Sequence, residues 1–357
     1  MKTLLAASAV AALVGTSGAS LAQVPEGYDP SYAQTVGAAA LEGVVNVYTT
    51  TDQSEAEELL AGFHALRPTI RVDYNDLNST ELYERFVTEA TAGKITSDLL
   101  WSSAMDQQIK LVNDGYAETY ASPEAAQLPQ WAVWNYRAYG VTAEPVAIAY
   151  NKALLPAAEI PKTHTDLARL LATRPDAFKG KVATYDPERS GVGFLFITQD
   201  VQLTQSTWDL VRAMGETGVK LYSTTSTMLD RIAVGDQPIS YNVIGSYAFE
   251  RAKVDPSLGV VLPADYTIIM SRIAFIPKGA PHPNTAKLFL DYLLSKDGQA
   301  RLAARSLGSV RDDVRGNPVQ QESFFRPIRV GPELLTYLDQ AKRNRFLKEW
   351  RRALQTR

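Results

Sequence analysis

The chain of 357 residues contains no cysteine and only three histidines. The absence of cysteine excludes disulfide bonds, zinc–thiolate sites, thiol catalysis and a lipid-bearing cysteine near the N-terminus. Neither sign of charge dominates, since 36 basic side chains stand against 39 acidic ones and the formal net charge is −3. The composition as a whole therefore gives no indication of nucleic acid or an anionic membrane as a partner.

Long apolar runs are also missing once the N-terminal segment is passed. That segment carries one positive charge at Lys2, an apolar run from Leu4 to Val14 and a small-residue end at Ser20-Leu21-Ala22. This pattern predicts a secretory signal peptide, residues 1–22, cleaved near Ala22, and hence an exported, periplasmic protein. No later stretch reaches the ~20 apolar residues that a membrane-spanning helix needs. The remaining chain is long enough for two domains of about 150 residues each.

From Val44 onward the sequence repeats a unit of strand, turn and helix. Strands are predicted at Val44 to Tyr48, Ile70 to Tyr74 and Leu99 to Trp101, and each is followed by a polar turn and a stretch of helical periodicity. This alternation predicts an α/β fold with mostly parallel sheets and helices on both faces. The stretch of residues 23–42, rich in Ala, Gly, Pro and Tyr, is expected to form an extended leader.

Two extended stretches, Gly140 to Asn151 and Thr267 to Ile276, are interpreted as crossings between two lobes. The first is longer than an average strand and contains Pro145, which suits a segment that leaves one sheet and joins another. The end of the chain, Ala341 to Arg357, predicts a basic amphipathic helix whose apolar side packs on a lobe. The expected organisation is lobe 1 at 43–141 and 267–312, lobe 2 at 142–266, and a helical segment at 313–357 that packs on the lobes.

The stretch from Tyr185 to Phe194 predicts a strand end, a sharp turn and the first turn of a helix. Ser190 is suited to cap this helix, and the glycines around Val192, Gly191 among them, let a ligand approach the backbone. A helix N-terminus with free N–H groups is a ready anion site. The alternative is an ordinary capped helix without a ligand.

The segment from Ile273 to Gln299 contains a returning strand, a proline turn, and a helix that starts near Ala286 and is expected to stop at Gly298. Together with two lobes and two crossings, this segment resembles the type II periplasmic solute-binding proteins of ABC importers, and among them the group that binds ferric iron, thiamine and sugar phosphates. The resemblance covers Val44 to Ser309. It implies a two-lobe fold that closes on a solute, partnership with an inner-membrane permease and its ATPase, and no cofactor.

Iron-binding members of this group resemble one another in carrying two adjacent tyrosines, a histidine and an acidic residue, with an anion on a Ser-Gly turn. This chain keeps Ser190-Gly191 but has Ser246-Tyr247 in place of the tyrosine pair, and its early turn Thr49-Thr50-Thr51-Asp52 lacks histidine. The resemblance then implies that the anion itself is the ligand, as part of a phosphorylated or phosphonylated organic solute. A ferric-iron protein that uses Tyr247 and a carboxylate is the alternative. The three histidines, interpreted as surface or packing residues, are His64, His164 and His282.

An enzyme of the same fold is the remaining alternative, and the motifs do not favour it. The sequence has no G-x-S-x-G elbow, no H-E-x-x-H pair and no Walker loop. Arg189 and Arg272 could each reach a phosphate with two hydrogen bonds, or else face solvent. The protein is expected to act as a monomer, without nucleic acid and without a bound metal. The predicted ligand contacts are Thr50, Thr51, Ser103, Ser190, Gly191, Val192, Ser246, Tyr247, Arg189 and Arg272.

Overall fold

A computed structural model describes residues 24–315 and 322–355, so the predicted signal peptide lies outside the described residues. Across those two ranges, no helix has the length and apolar character needed to cross a membrane. The chain forms two β-sheets with helices packed against them, which confirms the predicted α/β fold class.

The first sheet contains six strands in the order β2 (Arg71–Asp76), β1 (Val44–Thr49), β3 (Leu99–Ser102), β12 (Ile273–Phe275), β5 (Ala138–Gly140) and β4 (Val133–Trp134). Its first three strands are parallel, as the alternation of strands and helices predicts, whereas β12 is antiparallel to β3, β5 is antiparallel to β12 and β4 is antiparallel to β5. Side chains such as Tyr48, Trp101 and Phe275 are fully buried between this sheet and its helices. The elements of this lobe are α1 (Tyr32–Glu42), β1 (Val44–Thr49), α2 (Gln53–Leu66), β2 (Arg71–Asp76), α3 (Ser79–Thr91), β3 (Leu99–Ser102), α4 (Met105–Asn113), β4 (Val133–Trp134), β5 (Ala138–Gly140), β12 (Ile273–Phe275), α10 (Pro283–Leu294) and α11 (Lys296–Ala304).

The second sheet has the order β13 (Phe325–Pro327), β11 (Thr267–Met270), β6 (Glu144–Asn151), β9 (Ile239–Ile244), β7 (Val182–Tyr185) and β8 (Lys220–Tyr222). Strand β10 (Leu258–Val261) also pairs with β6. Strands β8, β7 and β9 are parallel, and β6 runs antiparallel to β9, to β10 and to β11. Parallel pairing is thus confined to part of each sheet, since β12 in the first sheet and β6 in the second, the strands by which the chain enters each lobe from the other, run antiparallel to their neighbours. The elements are β6 (Glu144–Asn151), α5 (His164–Thr173), β7 (Val182–Tyr185), α6 (Gly191–Leu203), α7 (Thr207–Glu216), β8 (Lys220–Tyr222), α8 (Thr225–Ala233), β9 (Ile239–Ile244), α9 (Gly245–Val254), β10 (Leu258–Val261), β11 (Thr267–Met270), β13 (Phe325–Pro327) and α12 (Gln340–Gln355).

The two predicted crossings each contain one strand from each sheet. Strand β5 ends in the first sheet at Gly140 and β6 begins in the second at Glu144. On the return, β11 lies in the second sheet and β12 in the first, so the chain changes lobe at Ser271-Arg272. The lobe boundary expected at residue 267 therefore falls a few residues too early, because β11 is still paired with β6.

Two local predictions are wrong. The expected extended leader forms helix α1, whose side chains Tyr32, Val36 and Ala39 are buried in the hydrophobic core. Helix α10 ends at Ser295 and not at Gly298, because the Ser295 hydroxyl accepts from the Gly298 N–H and starts α11. The predicted stop glycine thus lies inside the next helix.

The predicted basic helix at the end of the chain forms as α12 and packs on lobe 2. Its side chains Phe346 and Trp350 are buried, and the Phe346 ring lies 5.6 Å from the ring of Phe194. The short strand β13, which the sequence analysis did not predict, adds to the edge of the second sheet beside β11. Strand β13 and helix α12 are therefore part of the second lobe, whereas the Val330 N–H between them donates to the Trp131 carbonyl of the first.

Asp106, in the first turn of α4, makes stability depend on pH. Burial raises the pKa of this carboxyl to about 7, and the Gln107 N–H is its hydrogen-bond donor. The folded chain therefore holds a proton that the unfolded chain releases above about pH 4, so stability falls as pH rises from about 4 to 7. We expect Asp106→Asn, which keeps the acceptor oxygen, to raise the free energy of unfolding by about 2 kcal/mol at pH 8 and by little at pH 4. Urea unfolding at the two pH values measures this difference, and an equal effect at both would contradict it.

Candidate functional site

A cavity of about 280 Å³ lies between the two lobes, at the edges where the parallel strands of both sheets end. This volume is at the small end of the range for organic ligand sites. From lobe 1 its walls are Thr50, Asp52, Asp76, Leu77, Asn78, Ser79, Glu81 and Ser103. From lobe 2 they are Tyr185, Val192, Ser223, Thr224, Thr225, Ser226, Ile244 and Tyr247.

The lobe 1 wall follows from the register of three neighbouring strands. Thr49 at the end of β1 lies opposite Trp101 of β3 on one side and Asp76 of β2 on the other. The residues that follow these strands therefore meet at one edge, as expected for parallel sheets. The Thr50 hydroxyl accepts from the Ser103 N–H at 2.9 Å, which fixes the two turns together.

The lobe 2 wall is built in the same way from β7, β8 and β9. Tyr185 ends β7 opposite Tyr222 of β8, and its hydroxyl lies 2.7 Å from the hydroxyl of Thr225. The Thr225 hydroxyl in turn accepts from the N–H of Ile244, the last residue of β9. Thr224 caps α8 by accepting from the Thr227 N–H. Hydroxyl groups thus tie the three strand ends of this wall together.

Asp52 joins the two lobes across the cavity. One oxygen of its carboxylate accepts from the Tyr247 hydroxyl and the other from the Ser226 hydroxyl, both at 2.9 Å. The Asp52 N–H also donates to the Tyr247 oxygen at 2.9 Å. Burial raises the pKa of Tyr247 well above its ordinary value, so this phenol stays protonated and remains a donor to the carboxylate.

The predicted anion turn packs directly against lobe 1. Ser190 caps α6 as predicted, with its hydroxyl accepting from the Gly193 N–H at 3.2 Å. The next N–H along the cavity wall, that of Val192, donates to the Ser79 hydroxyl of the opposite lobe at 3.3 Å. A Cβ atom on Gly191 would lie 2.5 Å from Oε1 of Gln107. Any larger residue at this position therefore has to displace the Gln107 amide when the two lobes approach.

Arg272 is buried at the crossing and is held by an ion pair. Its guanidinium donates to both carboxylate oxygens of Glu144, at 2.9 and 3.1 Å, and also to the carbonyl of Thr50 at 2.8 Å. The Ser246 and Thr142 hydroxyls donate to the same carboxylate. The guanidinium also lies over the Tyr247 ring, 5.3 Å from its centroid. This network connects both crossings to the cavity wall.

The structure brings four of the ten predicted ligand contacts to the cavity and places the other six around it. Ser190 and Gly191 lie behind the wall, in the cap of α6 and against Gln107, whereas Arg189 is exposed on the surface. Arg272 and Ser246 are both committed to Glu144, and Thr51 is buried with an unpartnered hydroxyl. The four that line the cavity are Thr50, Ser103, Val192 and Tyr247.

Other polar residues of the wall were not among the predicted contacts. Asp76 is the last residue of β2, Asn78 follows that strand, and Ser226 stands in the first turn of the helix after β8, so each lies at a strand end, as Thr50 and Ser103 do. A polar residue at the end of a strand is the sequence signal for a cavity-lining residue, and the sequence analysis used this signal for only some of the strands. Two of the histidines are engaged in pairs, His164 with Asp265 and His282 with Asp98.

Three carboxylates face the cavity, and each of them accepts a hydrogen bond, that of Asp76 from the backbone N–H of Gln53. Asp52 accepts from Tyr247 and Ser226, and Glu81 accepts from the Asn78 amide that caps α3. Burial, and then the negative charge of Asp52, raise the pKa of the partly exposed Asp76 to about 6. The charge of Asp76 therefore changes near pH 6. Within the described residues, no group of three or more His, Cys, Asp or Glu side chains is arranged to hold a metal ion.

Comparison with known proteins agrees with this architecture. Residues 58–324 match the family model of the bacterial extracellular solute-binding proteins. A solved structure of the substrate-binding protein of an ABC transporter from Agrobacterium tumefaciens is 39% identical, with a TM-score of 0.83 over 87% of this chain and 94% of that one.

Two further solved structures share the fold at lower identity. Iron-bound HitA from Pseudomonas aeruginosa is 16% identical, with a TM-score of 0.69 over 87% of this chain and 99% of its own. AfuA from Actinobacillus pleuropneumoniae, solved with exogenous fructose-6-phosphate, is 19% identical, with a TM-score of 0.69 over 88% of this chain and 100% of its own. Proteins of this kind deliver solute to a membrane permease that an ATPase drives. The protein described here belongs to the extracellular solute-binding proteins of ABC transporters.

Proposed function

We propose that the interlobe cavity captures a small organic solute that carries a phosphate or phosphonate group and that the closed protein delivers it to the permease. The observation that supports this is the convergence of helix N-termini on the cavity. Among the lining residues, Asp52 precedes α2, Ser79 starts α3, Val192 lies in the first turn of α6 and Thr225 starts α8. The first N–H groups of a helix have no partner within it, and their dipoles favour an anion.

The Val192 N–H illustrates how an oxyanion would be held. Its present hydrogen bond to the Ser79 hydroxyl is long, at 3.3 Å, and a solute oxygen could replace that acceptor. The hydroxyl groups of Ser79 and Ser103 stand at the same cavity and can donate to the same group, whereas the Ser226 hydroxyl already donates to Asp52. Each charge-assisted hydrogen bond contributes ~1.5–3 kcal/mol, so a few of them reach the ~8 kcal/mol of a micromolar complex after ordering costs.

Asp76 gives this proposal a pH signature. The negative charge of its carboxylate opposes an anionic solute, and protonation near its pKa of about 6 removes that opposition. We expect the affinity for a phosphonate to rise as the pH falls from about 7.5 to 5, and Asp76→Asn to bind it about fivefold more tightly at pH 7.5. Calorimetric titrations at the two pH values measure both effects.

The matched control for Asp76→Asn is Glu84→Gln, which removes one negative charge from the exposed side of α3 outside the cavity. The control should bind like the wild type at both pH values. The phosphonate itself also titrates, but it does so equally in experiments with all three proteins. Its contribution therefore cancels when their affinities are compared. Weaker binding by Asp76→Asn would indicate a cationic group on the solute and would contradict the proposal.

Ferric iron is the second candidate, and one contact favours it. The Tyr247 phenol and the Asp52 carboxylate, 2.9 Å apart at the cavity, are both hard oxygen ligands of the type that Fe(III) prefers. An iron–tyrosinate complex absorbs visible light, whereas a complex with a phosphate ester is colourless. A visible absorption band after addition of ferric citrate would therefore establish this candidate in place of the first.

A thermal-shift screen tests the proposed solute class. The panel holds sugar phosphates, glycerophosphates, phosphonates, nucleotides and thiamine esters, beside uncharged sugars, amino acids and Fe(III). A ligand at ~100 times its Kd adds ~2.7 kcal/mol to the stability of the folded protein, which is easily detected. We expect at least one phosphate or phosphonate to raise the melting temperature; a response to uncharged sugars or amino acids alone would contradict the proposal.

Sedimentation of the same samples tests the expectation of a monomer.

A further inference from the structure

Helix α12 concentrates basic charge on an otherwise acidic protein. It holds six basic side chains and one acidic side chain, so the rest of the chain holds 30 basic against 38 acidic ones. Its apolar side chains Phe346, Leu347, Trp350 and Ala353 are all buried against lobe 2. The backbone of α12 also approaches α7 closely, since a Cβ on Gly215 would lie 2.4 Å from the carbonyl oxygen of Leu354. These contacts hold α12 against lobe 2 and leave one face of the helix exposed to solvent.

The basic side chains of α12 fall into two groups. Arg343 lies over the ring of Phe194, 4.2 Å from its centroid, and Arg351 pairs with Glu188 at 3.1 Å. These two side chains therefore make contacts with lobe 2. The remaining four are exposed; Arg345, Lys348 and Arg352 lie on the face opposite the buried side chains, and Lys342 lies at its edge, one turn before Phe346. Arg352 also lies 4.0 Å from Glu349 of the same helix. This basic stripe consists of Lys342, Arg345, Lys348 and Arg352.

We propose that the basic stripe adsorbs the protein onto an anionic phospholipid surface. From Lys342 to Arg352 the stripe extends about 15 Å along a straight helix, a shape that suits a flat charged surface. Anionic headgroups attract such a stripe without any specific pocket, and each basic residue near the surface contributes independently. The proposal does not depend on which solute the cavity takes.

A membrane fits this face better than a protein partner does. Protein interfaces are anchored by aromatic and other apolar side chains at their centre. Those of α12, namely Phe346 and Trp350, are buried on the opposite side of the helix. Electrostatic adsorption needs only exposed charge, and it brings the protein to the membrane surface, where the permease lies.

Vesicle sedimentation tests the proposal with the purified full chain. The vesicles are either phosphatidylcholine alone or phosphatidylcholine mixed with phosphatidylglycerol, at low ionic strength. We expect the wild type to bind only the anionic vesicles and to be released by salt. Neutralising the stripe in the triple variant Lys342→Gln, Arg345→Gln, Lys348→Gln should weaken binding about fivefold per residue, or roughly a hundredfold in total.

A control variant with the same net charge changes three exposed lysines elsewhere, Lys94→Gln, Lys179→Gln and Lys220→Gln. The control should bind anionic vesicles like the wild type, and thermal melts should show that both variants are folded. Equal binding of wild type to both kinds of vesicle would overturn the proposal. So would a triple variant that binds within about threefold of the wild type. Capture of the protein by the solubilised permease through the stripe, without binding to any vesicle, would assign the stripe to a protein partner and also overturn it.

Discussion

Replacing Gly191 by valine is expected to lower the affinity for solute by at least about a hundredfold, a loss of ~2.7 kcal/mol, while the protein still unfolds cooperatively. The structure gives a different reason from the one that the sequence suggests. A side chain at this position would meet the Gln107 amide of the opposite lobe at 2.5 to 2.8 Å. Valine would therefore displace the Gln107 amide and keep the lobes further apart than glycine does, and a hinge protein that closes incompletely loses contacts of one wall. Calorimetry with the tightest ligand of the screen measures the loss.

A double variant separates the two explanations for Gly191. Gln107→Ala removes all three atoms that the new side chain would meet, so it should restore most of the affinity when combined with Gly191→Val. Gln107→Ala alone is the matched control and should bind nearly as the wild type does. If the double variant binds solute as weakly as Gly191→Val does, valine blocks the solute itself. The contact with Gln107 is then not the cause of the lost affinity.

Arg272→Met is expected to lower the free energy of unfolding by about 3–5 kcal/mol. Both Arg272 and Glu144 are fully buried, and removal of the guanidinium leaves the carboxylate without its cation. Burial opposes the charge of Arg272, but the coulombic interaction with Glu144 outweighs it and raises the pKa of Arg272, so the guanidinium stays charged in the folded protein. Urea unfolding of the purified variant measures the change.

Two further variants show whether the Arg272 effect comes from the unpaired carboxylate. Arg272→Met combined with Glu144→Gln removes both charges and should recover more than half of the lost stability. The exposed pair of Arg251 and Asp230, 3.3 Å apart, is the matched control, and Arg251→Met should cost less than about 1 kcal/mol. Normal stability of Arg272→Met together with lost solute binding would mean that Arg272 is a ligand contact.

Periodicity predicted the elements whose core residues lie close in sequence. Strands β1 and β3 form within one residue of their expected bounds, and Ser190 caps α6 as predicted. Helix α1 was missed although Tyr32, Val36 and Ala39 have helical spacing, because glycine and alanines between them weaken the apolar pattern. Strand β13 has three residues, one of them a proline, and exists only because β11 offers an edge.

The site was harder to predict because its contacts join distant parts of the chain. Arg272 and Glu144 are 128 residues apart, and Asp52 and Tyr247 are 195 apart. The sequence shows that an arginine stands near a crossing, but only the packed structure shows which carboxylate holds its guanidinium. In the same way, the strand-end rule finds the edge of each sheet, whereas the closure of one lobe on the other decides which hydroxyls face the cavity.

The position of the solute's charged group tests the central claim most directly. A crystal structure of the protein with the tightest-binding phosphate or phosphonate should show the phosphorus atom between the lobes, with its oxygens accepting from the Val192 N–H and from the first turn of α8. The Asp76 side should then hold the rest of the solute. Phosphorus bound outside this cavity, or a solute whose only charged contact is a cation on Asp52 or Asp76, would contradict the account.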